Sequence, residues 1–203
     1  MLAAKIEGQM EKVHVQSNSV AHQELSATMG YVYATMQVHE ALDNPRVHDN
    51  DNVFFFDYLR DLCERLKQLI RFPEGNYTYY MDENEVNIKA PYAEARTVGV
   101  ILTELLINVD QHAYAYDSDN KWVDISIGRQ NNYFFLRISD RGKGMSVFSD
   151  RPAHSASDGR GIQLISDMVR RQLEGTFDID SGHNGTTVKV TIPVRVLESI
   201  EKK

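Results

Sequence analysis

The chain has 203 residues, 42% apolar and 25% charged, the balance of a soluble globular protein long enough for one large domain or two small ones. Its formal charge is -7 with no block of lysine or arginine, which excludes the electrostatic footprint of a nucleic-acid or anionic-membrane binder. No apolar run approaches the ~20 residues that span a bilayer. Met1 to Met10 lack the basic-then-apolar pattern of a signal peptide, and the lone Cys63, read as a small core residue, fits a reduced cytosol.

In chain order, Leu2 to Leu42 contains no proline, and Leu25, Met29, Val32 and Met36 recur at alternating four- and three-residue steps. That spacing predicts a helix with a bundle or coiled-coil seam. Asp43-Asn44-Pro45 ends it, because proline cannot continue the hydrogen-bond ladder. After a polar turn to Asn52, Val53 to Ile70 resumes helical spacing through Phe55, Leu59, Leu62, Leu66 and Leu69. Two antiparallel helices alone expose too much apolar surface, so a homodimer through a four-helix bundle is expected. Phe72-Pro73-Glu74-Gly75 divides the chain into 1–72 and 73–203.

Beyond that point strands and helices alternate. Tyr77 to Met81 and Glu85 to Lys89 read as a strand hairpin, and Tyr92 to Ala113 as a helix. Val123 to Arg129 and Tyr133 to Ser139 alternate as paired strands, and Arg141 to Ser157 is a loop by its Gly, Ser, Asp and Pro content. Gly161 to Leu173 is a helix, followed by strands Thr176 to Asp180 and Thr187 to Pro193. The expected class is α+β, with one sheet covered on one face.

Four segments carry chemistry. On the helix Tyr92 to Ala113, Glu104, Asn108 and His112 stand four apart along one stripe, beside Gln111. Such stripes are most often solvated faces, yet a carboxylate, an amide and an imidazole in line can also meet one ligand. Asp140 closes a strand and opens the loop Arg141-Gly142-Lys143-Gly144. A carboxylate there can accept from the exocyclic amine of adenine, where guanine presents an oxygen. Asp158-Gly159-Arg160-Gly161 delivers glycines to a helix start, whose free amides and dipole suit phosphate. Gly182-His183-Asn184-Gly185-Thr186-Thr187 is a tight turn with hydroxyls near its exit. Each segment alone is weak, but their order and spacing are specific.

From about Pro91 to Pro193 these segments resemble, in order, the four ATP-binding boxes of the GHKL superfamily of histidine kinases, type II topoisomerases, heat-shock chaperones and mismatch-repair ATPases. The resemblance implies a Bergerat-type α/β sandwich binding ATP and Mg²⁺ over residues 73–203. It makes Asn108 the Mg²⁺ ligand and Glu104 the residue that orients or deprotonates an attacking group. Asp140 becomes the adenine reader, backed by Thr186. Gly142, Gly144, Gly159 and Gly161 shape lid and phosphate site. The short lid and the stretch Leu173 to Gly182 look like the kinase version, and the N-terminal helices favour histidine kinases over anti-sigma serine kinases. Residues 1–72 would then be the dimerisation and histidine-phosphotransfer hairpin, with a response-regulator receiver domain as partner.

In that subfamily an acidic-Asn-Pro type turn follows the phosphoacceptor by about two dozen residues, and His22 stands 23 before Pro45. His14 and His39 are its rivals. Two departures bear on activity: Gln23 replaces an acidic residue directly after the histidine, and Gln111 replaces a phosphate-reaching lysine. Asp110 adds negative charge nearby, while Lys143, Arg160 and His112 are candidates to compensate. Besides an autokinase, the sequence leaves open a phosphotransfer scaffold with a weak ATP site and a serine kinase acting on a transcription regulator.

Overall fold

The computed structural model describes residues 32–49, 52–70, 72–82, 88–115, 120–145 and 160–198. Ala34–Lys203 forms one compact body. Residues 32–42 are helical (α1). Asn44 shapes the turn that follows, its side-chain oxygen accepting the Arg46 N–H at 3.1 Å. Short strands β1 (His48–Asp49) and β2 (Asn52–Phe54) lead into α2 (Phe55–Leu69). Then come β3 (Tyr77–Met81), β4 (Lys89–Pro91) and α3 (Tyr92–Asn108), extended by a π-helical turn at Val109–Ala113. The chain continues through β5 (Val123–Gln130), β6 (Tyr133–Asp140), α4 (Arg160–Gln172), β7 (Thr176–Gly182), β8 (Gly185–Pro193) and α5 (Val194–Leu197).

The main sheet is mixed, in the order β3-β5-β6-β8-β7, with β3 parallel to β5 and the other pairs antiparallel. Strict alternation sets its faces. Ile125, Ile138 and Val188 stand in register on the inner face. With Ile127, Phe134, Leu136, Val190 and Ile192 they are buried. Each such side chain is worth ~1.5–3 kcal/mol when fully buried. The outer face is polar, with Arg137 donating to Ser126 Oγ at 3.1 Å. Helices cover the inner face through Val98, Leu102 and Leu105 of α3 and Ile165 and Val169 of α4, all buried. The expected α+β class and one-sided sheet are therefore present.

Local expectations are revised at three places. Val53 is not helical: β2 pairs antiparallel with β4, Val53 opposite Ala90, and the helix starts only at Phe55. β3 takes β5 as its parallel neighbour, and Lys89 lies in β4, so the expected hairpin is replaced by two separate pairings. The helix from Tyr92 is α-helical only to Asn108.

α2 also spends its apolar side differently from the expected bundle. Phe55 and Phe56 meet Phe134 of β6 with ring centroids 5.0 and 6.2 Å apart. Tyr58 lies against Gly99 of α3, where no β-carbon would fit. The Tyr77 hydroxyl donates to the Cys63 carbonyl at 3.0 Å. Burial, followed by the nearby Glu64, pushes the Cys63 thiol up to about 12, so it is the inert core residue expected. α1 runs antiparallel to α2, since Glu40 pairs with Arg65 at 3.2 Å and Asn44 donates to Asp61 at 3.4 Å. Packing thus crosses the Phe72-Pro73 division. The residues before 32 lie outside the described part.

Candidate functional site

The alternation that buries Phe134, Leu136 and Ile138 also turns Asp140 inward, leaving it 8% exposed. Its Oδ1 accepts the backbone N–H of Gly142 at 2.8 Å and of Thr186 at 3.3 Å. Among the described residues no protein group bonds its other oxygen, so one acceptor remains. Burial raises the carboxyl above the usual aspartate range and outweighs the two amides, which lower it. Beside it lies a cleft of about 260 Å³ lined by Asp140, Asp180, His183, Asn184 and Thr186 among others. That volume suits a ring system rather than a whole nucleoside triphosphate. A wider depression of about 610 Å³ at Glu40, Asp43, Asn44, Arg46 and Arg65 contains none of the predicted site residues.

Gly142 and Gly144 after Asp140, and Gly185 in the facing turn, leave no room for a β-carbon. A β-carbon on Gly142 would strike the Ala113 carbonyl, and one on Gly185, at φ +121°, would strike the Asp140 carbonyl. Gly144 packs on the Gly182 backbone. The Lys143 N–H donates to the Ala113 carbonyl at 2.9 Å. This captures an acceptor at the helix end, where carbonyls lack intrahelical partners, and it accompanies the change to a π turn. Thr186 shares a hydroxyl–hydroxyl bond of 2.9 Å with Ser181, whose Oγ accepts the Met145 N–H at 2.7 Å.

At the end of α3, Asn108 Nδ2 is buried and, among the described residues, has no hydrogen-bond partner. A β-carbon on Gly161 would lie 4.0 Å from Asn108 Oδ1, so the amide stands beside the first turn of α4. At the far end Thr97 Oγ1 donates to Gln172 Oε1 at 3.1 Å, which makes α3 and α4 antiparallel. The Asn108 amide and the N-terminus of α4 therefore come together.

Glu104 is half-buried one turn earlier. Gln111 and His112 are exposed within the π turn, so the four-residue stripe does not continue past Asn108. Asp110 is paired with Lys121 at 2.8 Å, which answers its charge outside the phosphate region. Arg160 is the first residue of α4. His22 and Gly159 lie outside the described residues.

Sequence reasoning missed Tyr114, whose hydroxyl meets Trp122 and Arg141. A single aromatic after a helix carries no pattern that could have found it. Ser181 was missed as well; its only signal was membership of the stretch before the last turn.

Residues 81–192 match the family model of the histidine kinase-like ATPase domain. The chain is similar to the sensor histidine kinase PdtaS of Mycolicibacterium smegmatis, 29% identical over 99 residues that cover 47% of this chain and 19% of that protein. It is also similar to a probable C4-dicarboxylate sensor kinase of Halalkalibacterium halodurans, 28% identical over 103 residues, 46% of this chain and 19% of that protein. The match spans about a fifth of the length of these relatives. In fold it is similar to the histidine kinase domain of the blue-light activated histidine kinase EL346 of Erythrobacter litoralis, with TM-score 0.62, 17% identity, and 95% of this chain and 96% of that one covered. It is likewise similar to the histidine kinase AdeS of Acinetobacter baumannii, with TM-score 0.51, 14% identity and coverages of 95% and 94%. Among the described residues no helix is long and apolar enough to cross a membrane.

Proposed function

Because this chain belongs to the histidine kinase-like ATPase family, we propose that it is a protein histidine kinase core that binds Mg·ATP, phosphorylates its own histidine and passes the group to a response-regulator receiver domain. One observation carries the nucleotide reading. Asp140 is a buried carboxylate with one oxygen held by two amides and the other left as an acceptor. The amine of adenine donates to such an acceptor, while the oxygen of guanine is repelled by it.

The residues at the end of α3 fit a magnesium ion and phosphates. Asn108 would offer a carbonyl oxygen to the metal and an Nδ2 that has no partner among the described residues to a phosphate oxygen. When bound, the ion neutralises charge on the phosphate oxygens. Gly159, Arg160 and Gly161 would hold the phosphates at the start of α4, with Gly142 and Gly144 shaping the lid, Thr186 backing the adenine contact and His112 at the rim.

The acceptor in this reading is His22. A lone pair on one imidazole nitrogen forms the P–N bond as the bond to the departing ADP oxygen breaks, and the proton of the other nitrogen is released to Glu104 or solvent. The receiver aspartate then takes the phosphoryl group and the imidazole is restored. Residues 1–72 would carry phosphotransfer and 73–203 the ATP site. A homodimer would form through the helix preceding Asp43, with exposed Met36 in the contact.

Incubation with γ-labelled ATP and Mg²⁺, beside His22→Ala, tests this. Label that is acid-labile, base-stable and lost in the variant is expected. Label persisting in the variant moves the acceptor to another histidine. Acid-stable label on a partner's serine refutes histidine chemistry, and absence of both label and nucleotide binding leaves a phosphotransfer scaffold.

A further inference from the structure

The densest polar junction of the site belongs to Tyr114. Its hydroxyl accepts the backbone N–H of Trp122 at 3.0 Å and of Arg141 at 2.9 Å, and donates to the Trp122 carbonyl at 2.6 Å. A phenol has one proton and two acceptor positions, so its capacity is filled. Tyr114 follows the π turn that ends α3, Trp122 precedes β5, and Arg141 follows Asp140. One oxygen atom thus joins three segments. Two further contacts act alongside it. The Lys143 N–H bonds the Ala113 carbonyl at 2.9 Å, and the Arg141 guanidinium lies 4.1 Å from the Trp122 ring centroid.

We propose that Tyr114 is a positioning residue of the nucleotide site, fixing the loop that carries the acceptor of Asp140 to the helix end that carries Asn108; this rests on the ATP reading above. Without the hydroxyl, both Trp122 backbone groups lose their partner and the Arg141 N–H turns to solvent. Among the described residues, the backbone bond from Lys143 to Ala113 then remains to hold the loop to the helix end. Its ordering cost shifts from folding to nucleotide binding, which weakens binding and blurs the choice of base.

The test is Tyr114→Phe in the whole chain, compared with Tyr79→Phe. The latter removes a hydroxyl bonded to Glu64 at 2.5 Å, between β3 and α2 and outside the site. ATP and GTP affinities are measured by calorimetry and amide exchange by mass spectrometry. For Tyr114→Phe we expect ATP binding about tenfold weaker, the expected scale for loss of one such junction. The ATP-over-GTP preference should narrow, and exchange should quicken at Arg141 to Lys143. Tyr79→Phe should match the wild type in all three. Unchanged ATP affinity or unchanged exchange in Tyr114→Phe overturns the role, as does an equal loss in both variants. A wild type that binds no ATP overturns the nucleotide reading and the role with it. A wild type that binds ATP beside an indifferent Tyr114→Phe overturns the role alone.

Discussion

Asp140→Asn keeps the shape of the side chain and one carbonyl-type oxygen, so the amides of Gly142 and Thr186 retain their acceptor. The other position becomes an NH₂ group that opposes the amine of adenine. A hydrogen bond to a charged acceptor is worth ~1.5–3 kcal/mol, so ATP affinity should fall about 10- to 150-fold. GTP, which presents an oxygen, should lose little or gain.

Stability should move the other way. Burial raises the Asp140 carboxyl in the folded state, so the ionised form is the one the fold disfavours. A raised folded pKa stabilises at acid pH, and that contribution disappears as pH rises through it. At mildly alkaline pH the wild type carries this cost and the asparagine variant does not. The variant should therefore melt at the same temperature or higher, with the gap closing towards acid pH. Calorimetric titration with ATP and GTP, alongside thermal melts at both pH values, reads all of this. ATP binding within about threefold of wild type would remove Asp140 as the base reader. A clear drop in melting temperature at alkaline pH would refute the argument from burial.

Asn108→Ala should abolish Mg²⁺-dependent ATP binding without lowering the melting temperature, because among the described residues its Nδ2 has no partner to lose; a large destabilisation would mean the amide serves the fold. Gly99→Ala drives a methyl group into the Tyr58 hydroxyl and should cost ~1–3 kcal/mol in urea unfolding. Tyr58→Phe removes a buried hydroxyl that has no partner among the described residues and should be neutral or stabilising by about 1 kcal/mol. Combined, the two should couple by about 1 kcal/mol or more; simple additivity would show that the clash is relieved elsewhere.

What the sequence revealed depended on whether a feature had a local period. β5 and β6 were legible because Val123, Ile125 and Ile127 before one short turn, and Phe134, Leu136 and Ile138 after it, recur at every second residue. α4 was legible from its strong two-sidedness and the glycines before it. The parallel pairing of β3 with β5 was not, since strands distant in sequence choose a neighbour by tertiary packing. Val53 and Phe54 fitted the helical spacing that follows them, and only β4 draws them into a strand. The π turn escaped because a change from four- to five-residue bonding leaves no mark on composition. Asp140, Asn108 and Gly161 stood out in the sequence because ligand chemistry restricts residue type at fixed spacing. Tyr114 bonds only backbone groups, which every residue offers.

The seating of Phe55 and Phe56 on Phe134, and of Tyr58 on Gly99, also limits how this body can be recombined with others. A gene fusion joined at Phe72-Pro73 would deliver a sheet with its aromatic keystone missing and Phe134 bared to water. A fusion joined ahead of Ala34 would carry α2 along and inherit a finished core. A new neighbour joined at that point would leave the packing of α2 on the sheet intact.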